Sequence, residues 1–354
     1  MSTILTGKGV AVLIIALLAG TGLGTFIVAP VVYGGQQQQQ NLSLLFALQG
    51  IQLSGEISIA GSTTVLPVTE AMIAPFQAAY PLVTIQASGG GSGEGYASVI
   101  EGRSPIGAVS RPPKSSEIAS ATANGVKLVG WAIACDAICV IYNNPNVPVL
   151  NLTRDQIAEI FERAETNNPP KWSDYGLTPP PTGDDEIHVF IRESGSGTRG
   201  EFEKWFGIDR TDWTGVEVKD GNPAMKQGVL DNQGYFGYIA LSYYTTGVQV
   251  QAVNIAFNSS YDYYSPGAEG IVTWARSWAQ NPVPDPDPLE YGGEGYFACR
   301  FIYYVTNGYP APGSLVDKYL DFVLSTTGQE IINTTVGYVS LHHIGFTPFP
   351  FEWN

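Results

Sequence analysis

The stretch Ile191-Arg192-Glu193-Ser194-Gly195-Ser196-Gly197-Thr198-Arg199-Gly200 runs straight into Glu201-Phe202-Glu203-Lys204-Trp205-Phe206, whose apolar spacing is that of a helix. A Gly/Ser/Thr loop that opens a helix turns free backbone N–H groups, hydroxyls and the positive end of the helix dipole toward an anion. Two further stretches repeat the arrangement. Gly61-Ser62-Thr63-Thr64 precedes a helix expected from 65 to about 80, and Ser88-Gly89-Gly90-Gly91-Ser92-Gly93-Glu94-Gly95 precedes Tyr96-Ala97-Ser98-Val99-Ile100. Three such helix starts, with arginines beside them, form a cage suited to a small tetrahedral oxyanion.

Other chemistries fit these loops less well. The G-x-G-x-x-G spacing of a dinucleotide fold, with its downstream acid, is not convincingly present, and the P-loop lysine is missing. A serine nucleophile at Ser196 needs a base beside it, but His188, His342 and His343 are scattered along the chain. No zinc spacing connects these histidines to Cys135, Cys139 or Cys299. The expectation is therefore a binding protein, with no catalytic residue, no metal and no cofactor. A formal charge of −15 argues against nucleic acid as a partner. That charge does not veto an anion site, because charges more than about 10 Å away are largely screened at cellular salt.

The elements that must carry the loops are legible in outline. From residue 55 onward strands and helices alternate, with short strands at 56–60 and 83–87. This βαβ rhythm predicts an α/β fold with a mainly parallel sheet, whose ligands sit beyond the carboxyl ends of the strands. Pro75 inside the first helix predicts a kink or a break near Ala74. Thr153 with Gln156 three residues later is a capping box that opens a helix, and 314–324 has helical apolar spacing. Proline-rich stretches at 169–170, 179–185 and 281–295 are loops. Cys135 and Cys139 sit on an apolar strand about 13 Å apart, too far to bridge each other. Cys299 pairs with one of them if its strand lies alongside; otherwise all three are buried thiols.

The N-terminal segment is different in kind. Residues 10–33 are apolar, and 24 residues of helix span roughly 36 Å, enough to cross a bilayer. A cleaved secretory signal is the competing reading. Lys8 favours the N-terminus inside and the bulk of the chain outside. Asn41, Asn151, Asn258 and Asn333 begin glycosylation sequons on that outer side. Lys8-Gly9 before the apolar run resembles the processing site of archaeal pilin-like signal sequences, under which the apolar helix stays and bundles with copies of itself. The expected organisation is a signal or transmembrane helix over 1–34 and a Gln-rich tether with an apolar stalk over 35–54. Self-association through residues 10–53 is the alternative use of this segment, in a cell-surface filament.

From about 55 to 341 the chain resembles the phosphate-binding proteins of high-affinity ABC importers. The matching stretches are Gly61-Ser62-Thr63-Thr64-Val65-Leu66-Pro67, Gly91-Ser92-Gly93-Glu94-Gly95, Ser110-Arg111-Pro112 and Leu152-Thr153-Arg154-Asp155-Gln156-Ile157-Ala158-Glu159-Ile160-Phe161. Residues 192–198, Tyr319-Leu320-Asp321-Phe322-Val323-Leu324-Ser325 and Gly337-Tyr338-Val339 follow in family order. The resemblance implies a two-lobed periplasmic-binding-protein type II fold with hinge strands near 131–142 and 235–257. Lobe 1 would comprise 55–134 and 250–354, and lobe 2 135–249. It implies inorganic phosphate held between the lobes by Ser62, Thr63, Thr64, Ser92, Ser110, Arg111, Arg192, Ser196, Gly197 and Thr198. It also implies delivery to the transmembrane subunits of an ABC permease at the outer face of the membrane.

Two departures carry chemistry. Some family members have an aspartate after the serine of the third motif, which accepts the proton of hydrogen phosphate; here Ser110 is followed by Arg111. Either Glu193 or Glu94 serves as the substitute acid or discrimination among anions is weaker, and Arg111 is either a rim ion pair or a direct ligand. An aspartate is common two residues after the matching arginine, where this chain has Ser194.

Overall fold

The computed structural model describes residues 10–17, 25–32, 53–245, 247, 249–279 and 295–353. Contacts divide the chain into one unit of Met1–Glu56 with Ile73–Ile85 and a second of Ile57–Met72 with Gln86–Asn354. In the first unit, β1 (Val10–Leu17) and β2 (Thr25–Val32) pair antiparallel, from Val10 opposite Val32 to Leu17 opposite Thr25. A transmembrane helix was expected over this stretch. About half of the residues in both segments are β-branched, which favours extended backbone, and the sequence between them holds Gly20, Gly22 and Gly24. Among the described residues no helix is long and apolar enough to cross a membrane. Residues 1–9, most of the expected tether and stalk, and the loop at 281–294 lie outside the described residues, as does the sequon at Asn41.

The main run of elements begins with β3 (Ser54–Gly61), α1 (Leu66–Ala79) and β4 (Leu82–Gly89). Helix α1 continues through Pro75 without the expected break. The ring removes only one N–H from the ladder, and the turn that follows is well tied. Within 73–85, Gln77 donates to the Val83 carbonyl at 2.8 Å, and the Phe76 and Tyr80 rings lie 4.8 Å apart.

Next come α2 (Ser92–Ile100), β5 (Ile106–Val109), α3 (Ser115–Ala123) and β6 (Leu128–Tyr142). They are followed by β7 (Leu150–Thr153), α4 (Arg154–Arg163), β8 (His188–Arg192), α5 (Gly197–Phe206) and β9 (Glu217–Lys219). The chain continues through α6 (Gly221–Asp231), β10 (Tyr235–Ala240), α7 (Leu241–Thr245), β11 (Gln251–Ala256) and α8 (Ala268–Ala279). It ends with β12 (Cys299–Asn307), α9 (Leu315–Leu324), α10 (Thr326–Ile331) and β13 (Pro350–Trp353). The Thr153 hydroxyl accepts from Gln156 N–H while Gln156 reaches back to Thr153 N–H, as its sequence signature predicts.

Strand β6 organises the second unit. Its first part, 128–137, pairs with β12, and its last part, 138–142, pairs with β10. Every described partner of β6 (β10, β11, β12 and β13) runs antiparallel to it. Parallel pairing persists at β3–β5, β8–β10, β8–β9 and β7–β11. The sheet is thus mixed, which corrects the expectation of a mainly parallel one. The βαβ rhythm identifies the parallel units, but nothing in periodicity reports a strand that runs against its neighbours. Almost all of β6 is buried, which explains its continuous apolar sequence.

The three thiols are free and buried. The register places Cys299 opposite Ala137, so Cys135 and Cys139 are its diagonal neighbours, two residues to either side. Diagonal positions on paired strands lie about 7–8 Å apart, beyond disulfide reach. Burial pushes all three thiols well above their usual range.

Candidate functional site

The three Gly/Ser/Thr loops meet within the second unit. The turn after β3 is closed by Val65 and Leu66 N–H groups donating to the Ser62 carbonyl, both at 3.0 Å. Helix α2 starts at Ser92 and α5 at Gly197, four residues before the expected points. The glycines that look like loop in sequence therefore form first helical turns, which puts more N–H groups at the meeting point.

Close backbone approach explains two of the glycines. A Cβ on Gly61, whose φ is +136°, would lie 2.2 Å from the Ala108 carbonyl oxygen and 2.7 Å from Gly95 Cα. A Cβ on Gly197 would lie 2.2 Å from Ser92 Oγ and 2.5 Å from Ser110 Oγ. Gly93 N–H also donates to the Gly195 carbonyl at 3.1 Å, tying the second loop to the third.

Three serines form one buried cluster. Ser62 Oγ donates to Ser110 Oγ at 3.0 Å, Ser92 Oγ and Ser110 Oγ lie 3.2 Å apart, and Ser110 N–H donates to Ser92 Oγ at 3.0 Å. Beside it, the hydroxyls of Thr64 and Thr198 share a 3.0 Å hydrogen bond. Thr63 Oγ1 accepts from Arg192 Nη2 at 3.3 Å and from Asn222 Nδ2 at 3.2 Å.

Arg192 ends β8 and is 1% exposed. Its guanidinium is forked by Glu193, Nε to Oε2 and Nη2 to Oε1, both at 2.8 Å, while Nη1 donates to Asn222 Oδ1 at 3.2 Å. Glu193 thus orients the arginine where Ser194 has no carboxylate to do so. Glu94, the other candidate acid, pairs with Arg103 on half-exposed side chains.

Two of the predicted residues face other partners. Arg111 makes a bidentate pair with Glu117, both bonds 2.7 Å, and lies 5.3 Å from the centre of the Tyr96 ring. Of the two roles the sequence left open for it, the ion pair is the one seen. The Ser196 hydroxyl accepts from Arg199 N–H as the cap of α5.

Sequence reasoning missed three residues. Asn222 donates to both Thr63 and Thr64 hydroxyls at 3.2 Å. Arg300 Nη2 donates to Thr198 Oγ1 at 2.9 Å and to Thr64 Oγ1 at 3.3 Å. Asp136, fully buried, holds Arg300 through Oδ2, 2.9 Å from Nε and 2.8 Å from Nη2. Burial raises the Asp136 carboxyl above its ordinary value, with Arg300 pulling the other way. A signal for the pair existed. Arg300 and Asp136 are single charges in otherwise apolar strands, and charged side chains are almost never fully buried unless paired. Asn222 sits in an ordinary polar turn and gives no such signal.

Away from these loops, among the described residues, Glu165, Glu186 and His188 place ligand-type atoms within 4.8 Å of one another. His188 Nδ1 and Glu165 Oε1 lie 2.9 Å apart on partly exposed side chains, a grouping common at acidic surfaces.

Comparison with known proteins agrees with this architecture. The family model described as the PBP superfamily domain matches residues 47–327. The phosphate-binding protein PstS of Pseudomonas aeruginosa is 27% identical over 301 residues, covering 82% of this chain and 84% of that one. Protein SphX of Synechocystis is 31% identical over 197 residues, 54% of this chain and 57% of its own length, so that match spans little more than half of the relative. Among solved structures, a crystal structure with bound phosphate of a Clostridium perfringens chain, assigned as a phosphate ABC transporter substrate-binding protein, is 28% identical. It superposes with a TM-score of 0.63, covering 81% of this chain and 99% of that one.

Proposed function

This chain belongs to the PBP superfamily, and on that premise we propose that it captures inorganic phosphate and hands it to an ABC permease. The observation that carries the proposal is the convergence of the 62–64, 92–95 and 196–198 loops on one buried cluster of hydroxyls and N–H groups beside Arg192. Helix starts supply partial positive charge, the hydroxyls both donate and accept, and a buried guanidinium adds full charge. The names of the P. aeruginosa and C. perfringens relatives supply the anion.

In this reading Ser62, Thr63, Thr64, Ser92, Ser110, Arg192, Gly197 and Thr198 surround the phosphate. Ser196 holds the first turn of α5 in place, and Arg111 stiffens the third motif through Glu117. Residues 55–134 with 250–354 form one lobe and 135–249 the other, joined through β6. Closure is favoured because only the closed arrangement brings Thr64 and Thr198 to the same anion. Charge-assisted bonds in a dry cleft support micromolar or tighter affinity, about −8 kcal/mol, after ordering costs. The apolar segment at 10–33 tethers the domain to the outer face of a membrane, where the permease receives the anion.

Linkage gives the test. A ligand that binds only the folded protein stabilises it by RT ln(1 + [L]/Kd), about 2.7 kcal/mol at a hundredfold excess over Kd. Millimolar phosphate is expected to raise the unfolding temperature by several degrees, and an equal concentration of chloride is not. An identical shift with both salts would reduce the effect to ionic strength and remove the phosphate reading.

A further inference from the structure

The geometry points to Arg300 as a second cationic donor to the anion, presenting Nη1 to one of its oxygens, with Asp136 as the residue that positions it. The inference rests on the phosphate reading and extends the site to a strand, β12, that none of the three loops contains.

Arg300 is 3% exposed and Asp136 is 0% exposed. A buried ion pair is weak evidence for stability, because desolvation cancels much of the attraction and a well-packed apolar pair does as well. Its place in the fold therefore asks for another reason. The fork of Arg300 is only partly used. Nε and Nη2 face Asp136 Oδ2, and the carboxylate's other oxygen accepts from Leu241 N–H at 3.0 Å. Nη2 also reaches Thr198 and Thr64. Nη1 is buried and has no hydrogen-bond partner.

A planar guanidinium with one edge on a carboxylate must show its other edge, Nη1 with Nη2, to whatever lies opposite. Here Nη2 on that edge meets the two threonine hydroxyls, so Nη1 is aimed at the same region. A charged donor buried with no acceptor is costly. A phosphate oxygen seated against the Thr64 and Thr198 hydroxyls, on the side that Nη1 faces, supplies that acceptor. The anion then lies between two guanidinium groups, Arg192 from β8 and Arg300 from β12, each held by its own carboxylate.

Calorimetric phosphate titrations of the full chain compare wild type with Arg300→Lys, Arg300→Gln and the double variant Asp136→Asn/Arg300→Gln. The double variant removes both buried charges together, so it leaves no unpaired ion behind. A charged hydrogen bond of ordinary strength predicts Kd at least tenfold weaker in the double variant and in Arg300→Gln. Arg300→Lys, which keeps the charge but loses the fork, should recover part of the affinity; a merely structural role would give no such ordering.

Binding within threefold of wild type by a cooperatively folded double variant overturns the proposal. Should the variants fail to fold, the crystal structure of the wild-type phosphate complex decides. Nη1 within about 3.2 Å of a phosphate oxygen supports the assignment, and Nη1 bonded only to protein or water with phosphate in the cage overturns it. Absence of any phosphate binding by wild type would instead strike the phosphate reading itself, and this one with it.

Discussion

Thr64 and Thr198 are 134 positions apart in the chain, yet their hydroxyls share a 3.0 Å hydrogen bond. One belongs to the turn after β3 and the other to the first turn of α5. Both also receive Arg300 Nη2. This contact joins the first and third loops at a single point, and most of the functional account follows from it.

Thr198→Val keeps the shape of the side chain and removes its hydroxyl. Phosphate affinity should fall at least tenfold, because Arg300, Thr64 and the anion all lose a partner there. Calorimetry checks the affinity. An unchanged Kd would place the anion elsewhere.

Gly197→Ala introduces a methyl group where two serine hydroxyls already stand within 2.5 Å. The α5 turn or the serine cluster has to shift. Overpacking of this kind costs about 1–3 kcal/mol, visible as a lower urea midpoint, and the displaced loop should weaken phosphate binding as well. Wild-type stability and affinity together would show that this approach is looser than the geometry indicates.

Burial raises the Asp136 carboxyl above its ordinary value of 3.8, and Arg300 opposes the shift. With the native value the higher one, the folded protein holds this proton where the unfolded chain has released it. The resulting stability is fully present below the ordinary value and is lost as pH rises through the native one. Unfolding free energies of wild type relative to Asp136→Asn/Arg300→Gln should therefore decline as pH rises from about 3.8, then level off. A relative stability that climbs over the same range would mean that Arg300 dominates and the carboxyl is depressed.

Cys135, Cys139 and Cys299 are buried thiols whose ionisation is disfavoured by desolvation. An aromatic disulfide reagent should label none of them promptly in the folded protein, even at mildly alkaline pH, and all three after unfolding. Fewer than three equivalents in unfolded, unreduced protein would reveal a disulfide instead.

The sequence showed the loops better than it showed what surrounds them. Ser62 and Ser92 are recognisable locally, from the repeated Gly/Ser/Thr runs that open helices, whereas Ser110 is recognisable only through the family resemblance; the structure joins the three hydroxyls. The Thr153 cap was legible for the same local reason. Arg300 and Asp136 were not placed at the site because their meeting depends on β6 and β12 running antiparallel, a pairing between distant segments. Helices α2 and α5 begin at Ser92 and Gly197, earlier than the glycine-rich sequence predicts, because glycine propensity is a weak local term, overridden here by tertiary packing. The apolar run at 10–33 has the length of a membrane helix but is rich in β-branched residues, so length and local preference point to different structures.

The central claim is that these loops and Arg192 bind one phosphate. Titration of the chain with phosphate, repeated with Arg192→Ala, tests it most directly. The account predicts one phosphate per chain with micromolar or tighter Kd, and a loss of at least about 2 kcal/mol on removing the guanidinium. No heat of binding from wild type, or equal affinity in the variant, would contradict it.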